Sequence, residues 1–339
     1  MTSKKHMNVG IIGAGYIGTK RAEVIRNLKK DKLVSVFDID FDKSVALVEK
    51  FGGLAVRSKN DILNDKNIDT VIIATWNSAA AQLCLEAIRN KKNVLCEKPM
   101  GINYQEAKKV YTAAKKSGVT LKAGFNHRFH NAVRKARELV KSGAIGELMY
   151  MRAVYGQGGR KGYDLEWRMN KKLSGGGELL DQGVHLLDLF RWFMGEFKEG
   201  VAFCENTFWD KSKLEDNAFC TLRTRDGKVA QMQVSITQWK NKFSIDIFGK
   251  KGYVNIEGKG GSYGQEKLII GRRKKLGVRP VEQEFLYDKD TSWQEEWKNF
   301  RNAIAKKIQP IGNGYDGMMA NKLVTDLYAS SKNKKIVKF

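Results

Sequence analysis

Three titratable residues lie in a largely apolar stretch in the middle of the chain: Asp181, His185 and Asp188. Their spacing places all three on one face of a helix. A polar stripe of this kind is costly to bury unless it has partners or a chemical task. A histidine beside carboxylates suits general acid–base catalysis, because imidazole exchanges protons near neutral pH. The alternative is a structural histidine held in the core by two aspartates.

A glycine-rich turn near the N-terminus predicts a second kind of site. The segment 13–18 reads Gly-Ala-Gly-Tyr-Ile-Gly and lies between a predicted strand and a predicted helix. In a dinucleotide-binding turn the first glycine permits the turn, the second lets the backbone approach the pyrophosphate, and the third allows close helix packing. The helix N-terminus then favours the anion. The predicted cofactor-binding residues are Gly13, Gly15, Tyr16, Ile17 and Gly18.

Asp38 follows the second predicted strand, 20 residues after Gly18. A carboxylate at this place accepts hydrogen bonds from the adenosine ribose and repels the 2'-phosphate of NADP. No arginine follows it immediately. The sequence therefore predicts NAD as the cofactor, with NADP less favoured. The alternative is a glycine-rich turn of another α/β fold, with Asp38 merely exposed.

The elements that hold these residues fall into two groups. Up to residue 125, short β-rich runs alternate with helical patterns, which predicts a doubly wound parallel sheet. The strands are expected at 9–12, 33–37, 70–74, 94–96 and 120–123, and the helices at 17–28, 44–51, 79–90 and 104–116. Beyond a helix at 132–141, longer strands joined by tight turns predict an antiparallel sheet in an α+β domain. These strands are expected at 148–155, 218–224, 229–238 and 243–248, before a final helix at 318–330.

The composition excludes several classes of protein. The formal charge is +24, but 22 basic and 12 acidic residues lie up to position 125, and 39 and 25 lie beyond it, so the excess is dispersed. A dispersed excess argues against a nucleic-acid-binding arm. Apolar runs fall far short of the roughly 20 residues of a membrane span. The cysteines form no C-x-x-C pair, which favours reduced thiols in a cytoplasmic protein: Cys84, Cys96, Cys204 and Cys220.

Two further segments carry a family resemblance. Residues 94–99 read Val-Leu-Cys-Glu-Lys-Pro, and residues 175–189 read Gly-Gly-Gly-Glu-Leu-Leu-Asp-Gln-Gly-Val-His-Leu-Leu-Asp-Leu. With the N-terminal turn they resemble the Gfo/Idh/MocA family, which includes glucose-fructose oxidoreductase and inositol 2-dehydrogenase. The resemblance extends to residues 124–129, 167–168 and the start of the closing helix near 316–317.

The resemblance implies a fold and a catalytic group. The fold is a Rossmann domain, here residues 1–125, followed by an α+β substrate-binding domain, residues 126–339, whose large, mostly antiparallel open sheet often serves for oligomerisation. The implied catalytic residues are Lys98, Asp181 and His185. His185 is expected to act as general base, Asp181 to orient it, and Lys98 to stabilise negative charge on a substrate oxygen.

Further residues are assigned from their place in these motifs. Glu97 and Lys98 are expected at the cofactor. Thr75 and Asn77 are also expected there, although residues 74–80 lack the Thr-Pro and the histidine that the family usually has, so the shape of this loop stays open. The expected substrate-binding residues are Asn126, Arg128, Trp167 and Arg168.

The sequence thus predicts an NAD-dependent oxidoreductase that acts on a CH–OH carbon of a sugar, polyol or nucleotide sugar, as a homodimer or homotetramer. The segment 156–174 suggests an anionic substrate through Arg160, Lys161, Lys171 and Lys172. One rival is a metal enzyme with ligands from His127, His130, Asp181 and His185, but their spacing matches no zinc motif, so no metal is expected. The other rival is a noncatalytic NAD-binding sensor of the same fold.

Overall fold

The computed structural model describes residues 6–339. The chain divides into two compact units. The N-terminal unit contains the chain up to Asn126 together with Trp293–Asn321, and the C-terminal unit contains His127–Ser292 and Lys322–Phe339. The sequence predicts a second domain that contains the whole chain after residue 125. Residues 293–321 differ from that expectation because Trp297 and Phe300 are buried in the core of the N-terminal unit.

A parallel sheet forms the centre of the N-terminal unit. Its strands are β1 (Asn8–Ile12), β2 (Lys32–Phe37), β3 (Leu54–Ala55), β4 (Thr70–Ile73), β5 (Asn93–Cys96) and β6 (Leu121–Ala123). Over the described residues the strand order is β3-β2-β1-β4-β5-β6, and every pair is parallel. Helices α1 (Tyr16–Leu28), α2 (Phe41–Phe51), α3 (Lys59–Leu63), α4 (Asn77–Arg89) and α5 (Tyr104–Ser117) connect them. The predicted doubly wound sheet is confirmed, and its order reverses between β1 and β4.

A larger sheet forms the C-terminal unit. Its strands are β7 (Leu148–Gly156), β8 (Phe197–Glu205), β9 (Asn217–Thr224), β10 (Val229–Ser235), β11 (Lys242–Gly249), β12 (Gly252–Glu257), β13 (Glu266–Arg272), β14 (Val281–Tyr287) and β15 (Val337–Lys338). Over residues 6–339 the order is β14-β13-β12-β11-β7-β10-β9-β8-β15. Strands β7 and β10 pair in parallel and the other pairs are antiparallel. The predicted mostly antiparallel sheet is confirmed.

The strands of this larger sheet alternate between buried and accessible side chains, as in a sheet with one covered face. In β11, for example, every second residue is buried. The helices are α6 (Asn131–Lys141), the short α7 (Lys171–Ser174) and α8 (Val184–Met194). Two long helices, α9 (Ser292–Lys306) and α10 (Gly314–Asn333), follow the last long strand. Across residues 6–339 no helix combines the length and the apolar character that crossing a membrane requires.

Candidate functional site

The turn after β1 has the backbone geometry that a dinucleotide requires. Gly13 adopts a φ of +102°, and a Cβ there would lie 2.3 Å from the carbonyl oxygen of Ala74. A Cβ on Gly18 would lie 1.9 Å from the carbonyl oxygen of Gly13. At Gly15, by contrast, a Cβ would meet no atom within 4 Å. The first and third glycines are thus required by the fold, while the space above the second is open for a ligand, which fits the predicted pyrophosphate position.

Asp38 ties the end of β2 to this turn. Its Oδ2 accepts a hydrogen bond from the backbone N–H of Ala14 at 2.6 Å, and its Oδ1 accepts one from Asp40 at 2.9 Å. The two bonds fix the carboxylate beside the glycine turn, and each oxygen keeps a second lone pair. A carboxylate fixed here fits the ribose of NAD, and its charge opposes the 2'-phosphate of NADP.

The loop that departs from the family pattern also borders the switch between β1 and β4. Asn77 is buried and begins α4, whose N-cap is Trp76. The hydroxyl of Thr75 donates to the carbonyl oxygen of Trp76 at 3.3 Å. Helices α1 and α4 therefore both begin where the strand order reverses, which is the usual ligand position in open α/β sheets. Thr75 and Asn77 occupy the place at which a cofactor contact is expected.

The Glu97–Lys98 turn follows β5, and the buried Arg21 pairs with its Glu97 carboxylate. Arg21 of α1 binds Glu97 Oε1 through its Nε at 2.7 Å and its Nη2 at 2.6 Å. Burial raises the pKa of the Glu97 carboxyl, and Arg21 opposes that rise. Lys98 is half-buried beside it, and the Lys98–Pro99 peptide bond is cis. Glu97 was expected to contact the cofactor, but one of its oxygens is held by Arg21, an interaction that the sequence pattern does not signal.

In the C-terminal unit, Asp181 and His185 lie on a helix with an irregular start. A π-helical turn, Leu179–Gly183, contains Asp181 and leads into α8, in which His185 is the second residue. Single π turns within helices frequently occur at functional sites. Asp181 is part-exposed, and Arg168 Nε lies 3.4 Å from its Oδ2. His185 is buried, and its ring packs edge-on against His127 with the centroids 3.8 Å apart.

Asp188 and Arg128 form a separate, buried ion pair. Arg128 Nε donates to Asp188 Oδ2 at 2.7 Å and its Nη2 donates to Oδ1 at 2.6 Å, and both side chains are buried. The Arg128 guanidinium also lies 5.2 Å from the centroid of the Trp192 ring. The sequence places Arg128 at the substrate and Asp188 on the polar face of the helix. The bidentate bond ties Arg128 to α8 through Asp188, and the contact of Arg128 with substrate stays a prediction.

Trp167 and Arg168 lie in a short 3-10 turn, Trp167–Met169. The Arg168 guanidinium lies 4.7 Å from the centroid of the Trp167 ring and also approaches Asp181. The expected contact of both residues with substrate stays a prediction. Asn126 is buried at the start of another 3-10 turn, Asn126–Phe129.

The residues around His185 include aromatic groups that the sequence did not single out. The Tyr155 ring centroid lies 6.4 Å from that of His185 and 5.6 Å from that of Tyr263. Lys259 Nζ lies 4.1 Å from the centroid of the Tyr263 ring. Burial raises the pKa of Tyr155 well above its usual value and that of Tyr263 to about 12, so both phenols stay protonated at neutral pH. The glycine-rich segment 258–264, which carries Lys259 and Tyr263, predicts a turn, but no sequence signal places this turn beside Tyr155.

The glycine run before Asp181 is explained by close contacts. A Cβ on Gly177 would lie 2.1 Å from the carbonyl oxygen of Glu215, and one on Gly176 would lie 2.3 Å from the hydroxyl oxygen of Tyr328. The Glu215 carboxylate accepts backbone N–H bonds from Gly177 and Leu179, each at 3.1 Å, and an O–H bond from Tyr328 at 2.6 Å. Glu215 therefore fixes the turn that leads to Asp181.

The basic residues of segment 156–174 differ in whether they pair with a carboxylate. Arg160 Nη2 pairs with Glu166 Oε2 at 2.6 Å. Lys161, Lys171 and Lys172 are exposed. Among the described residues, no group of three or more His, Cys, Asp and Glu side chains has an arrangement that could hold a metal ion.

Sequence comparison matches both parts of the chain to one family. Residues 7–125 match the profile described as "Oxidoreductase family, NAD-binding Rossmann fold", and residues 133–255 match "GFO/IDH/MocA C-terminal domain". The 2,7-anhydro-N-acetylneuraminate hydratase of Escherichia coli strain K12 is 30% identical over 256 residues, which are 74% of this chain and 68% of that protein. The myo-inositol 2-dehydrogenase of Thermotoga maritima is 28% identical over 340 residues, 98% of each chain.

Structure comparison gives the same fold. The levoglucosan dehydrogenase structure in complex with NADH and levoglucosan superposes with a TM-score of 0.90 at 21% identity, covering 98% of this chain and 99% of that one. The structure of GenD2 from gentamicin A biosynthesis in complex with NAD has a TM-score of 0.85 at 21% identity and covers 100% of this chain and 98% of that one.

Proposed function

The chain belongs to the GFO/IDH/MocA family of oxidoreductases with an NAD-binding Rossmann fold, and on this premise we propose that it transfers hydride between NAD and a secondary alcohol or ketone carbon of a sugar or polyol. The observation that carries the proposal is the turn at Gly13–Gly18 with Asp38 fixed beside it. Open space over Gly15 fits a pyrophosphate, and the carboxylate fits a ribose. Relatives named for sugars and polyols supply the substrate class.

Side chains of this chain supply proton transfer and charge stabilisation for the proposed reaction. NAD, when bound, supplies the hydride acceptor. His185 takes the proton of the substrate hydroxyl as general base. Asp181 favours the charged form of that imidazole, and Arg168 in turn holds Asp181. Lys98 donates a hydrogen bond to the substrate oxygen and stabilises its developing negative charge.

The surroundings of the loop cations favour an uncharged sugar or polyol over an anionic one. Arg160 is already paired with Glu166, and Arg168 is already close to Asp181. The exposed lysines of segment 156–174 lie in water, where a charge pair contributes little. We therefore place an uncharged ring first and a sugar phosphate or sugar acid second among the substrates to test.

The accessible face of the large sheet supports self-association. Phe203 of β8 and Phe219 of β9 are cross-strand partners and are 60% and 46% exposed. Met149 and Val229 are also exposed. Apolar side chains grouped on an open sheet mark an interaction surface. We propose that this face joins copies of the chain into a homodimer or homotetramer.

A screen of substrates tests the activity. The purified protein is incubated with NAD and a panel of inositols, anhydrosugars, free sugars, sugar acids and sugar phosphates, and the absorbance of reduced nicotinamide is followed. A rise with an uncharged sugar or polyol supports the proposal. Tight binding of NADH with no turnover on any member of the panel, in either direction, would favour the noncatalytic sensor.

One relative favours a second candidate reaction. The E. coli protein is named a hydratase, and addition or elimination of water also needs acid–base residues such as Asp181 and His185. Mass spectrometry of the same panel separates the two reactions. Gain or loss of water without accumulation of reduced nicotinamide would identify the hydratase reaction.

A further inference from the structure

Four charged side chains form a buried network in the N-terminal unit. Arg21 Nη1 lies 2.7 Å from Glu296 Oε2, in addition to its two contacts with Glu97. Lys122 Nζ lies 3.4 Å from Glu296 Oε1. The side chains of Arg21, Lys122 and Glu296 are at most 1% exposed, and that of Glu97 is 12% exposed. Two cations and two carboxylates thus balance one another, and Glu97 alone of the four keeps a small contact with solvent.

The geometry leaves the Glu97 carboxylate little freedom. Arg21 grips one oxygen through two nitrogens. A Cβ on Gly124 would lie 2.6 Å from the other oxygen, Oε2, so the backbone of Gly124 closely approaches that side. The Arg21 guanidinium itself lies 4.5 Å from the centroid of the Trp293 ring. A planar guanidinium between two carboxylates fixes the orientation of both carboxylates and also balances their charge.

The network connects two helices that are far apart in the chain to Glu97, the residue before Lys98. Arg21 lies on α1, the helix that begins at the glycine turn, while Glu296 lies on α9, close to the end of the chain. The charge on Glu296 completes the balance for both Arg21 and Lys122. Removing one member of a buried network leaves an uncompensated charge, and the others must move or bind water.

We propose that Arg21 and Glu296 are positioning residues that hold Glu97 and, through its backbone, fix the place of Lys98. This inference rests on the proposed role of Lys98 at the substrate oxygen. It gives Glu97 a supporting function, and it gives a function to α9, which the sequence motifs leave unassigned. Because the network acts through Lys98, its loss lowers turnover and leaves the binding of NAD nearly unchanged.

The test is a double-mutant cycle. Glu296→Gln keeps the shape of the side chain but removes its charge, and we expect it to lower kcat by about tenfold or more, in the range of a misplaced catalytic group. The KM for NAD should change less than about threefold. In a Lys98→Ala background the same change should lower the residual turnover by less than about twofold, since coupled residues are not additive. Glu295→Gln, which removes a surface pair with Lys298, is the matched control and should leave kcat unchanged.

A second variant keeps the inference testable if Glu296→Gln does not fold. Arg21→Lys keeps the positive charge and loses the fork, and its unfolding temperature is measured together with that of Glu296→Gln. Arg21→Lys should show the same fall in kcat at unchanged KM for NAD. An equal fold-loss from Glu296→Gln with and without Lys98, or unchanged kcat in both folded variants, would overturn the inference. If Lys98→Ala itself has normal turnover, the proposed function fails instead.

Discussion

The two units build their candidate sites in different ways. In the N-terminal unit the chemistry-bearing residues follow strand ends in short motifs, and the charge beneath them is paired, as in Arg21 with Glu97. In the C-terminal unit His185 is surrounded by rings from distant segments, among them His127, Tyr155 and, beyond Tyr155, Tyr263. Residues of one short motif can be located from sequence because they are close together in the chain. Contacts between distant segments, such as that of Arg21 with Glu97 or of the His185 ring with Tyr155, cannot.

The largest expected effect separates catalysis from cofactor binding. We expect Lys98→Ala and His185→Ala each to lower kcat by about a hundredfold or more, because each removes a group that moves a proton or stabilises charge. The affinity for NADH, measured by titration of its fluorescence, should change little. Lys109→Ala, an exposed lysine of α5, serves as the control. Near-normal turnover in a folded His185→Ala variant would remove this residue from the mechanism.

Substitution of two glycines in one turn should affect different properties, stability at Gly18 and NADH binding at Gly15. Gly18→Ala should destabilise the protein by roughly 1–3 kcal/mol, because its Cβ would overlap the carbonyl oxygen of Gly13 and force the backbone to shift. Gly15→Ala should leave the unfolding temperature nearly unchanged, since no protein atom lies within 4 Å of its Cβ position. It should instead weaken NADH binding. Normal NADH affinity in Gly15→Ala would show that the pyrophosphate does not bind over this turn.

Cofactor choice should depend on Asp38. We expect the unmodified protein to bind NADH more tightly than NADPH, by about tenfold or more, because the carboxylate opposes the 2'-phosphate. The double variant Asp38→Ala, Ile39→Arg should narrow or reverse this preference, since Ile39 is 73% exposed and can carry a cation into the same region. Asp42→Ala, an exposed acid of α2, is the control. Equal affinity of the unmodified protein for both cofactors would contradict the role of Asp38.

The smallest effect is expected from the cations of segment 156–174. Replacing Arg160, Lys161, Lys171 and Lys172 together by glutamine should change KM for an uncharged substrate by less than about threefold, since exposed charges contribute little to binding a neutral ring. The kinetics are measured at low and moderate salt. A large rise in KM that the unmodified enzyme approaches at higher salt would instead identify an anionic substrate.

The sequence predicted the fold class because hydrophobic periodicity and turn residues are local signals. It did not predict α9 or its packing in the N-terminal unit, because an amphipathic pattern does not indicate which core a helix covers. The Arg128–Asp188 pair shows the same limit. Helical spacing predicts that Asp188 and His185 share one face, but only the structure shows that the Asp188 carboxylate is bound by Arg128.

The Tyr263 segment was missed for a related reason. Glycines at 258, 260, 261 and 264 predict a turn between strands. They do not indicate that the turn brings a tyrosine to the ring of Tyr155, because that contact depends on the register of β11, β12 and β13. The predicted roles of Lys98, Asp181 and His185 came from the family resemblance and stay predictions.

Transfer of deuterium from substrate to nicotinamide is the direct test of hydride transfer by this protein. A substrate found in the screen is labelled with deuterium on the carbon that bears the reacting hydroxyl, and the reduced nicotinamide is analysed by mass spectrometry and NMR. We expect the deuterium to be recovered on the nicotinamide ring and the labelled substrate to react more slowly under single-turnover conditions. Product formation with no deuterium on the nicotinamide would contradict hydride transfer as the reaction of this protein.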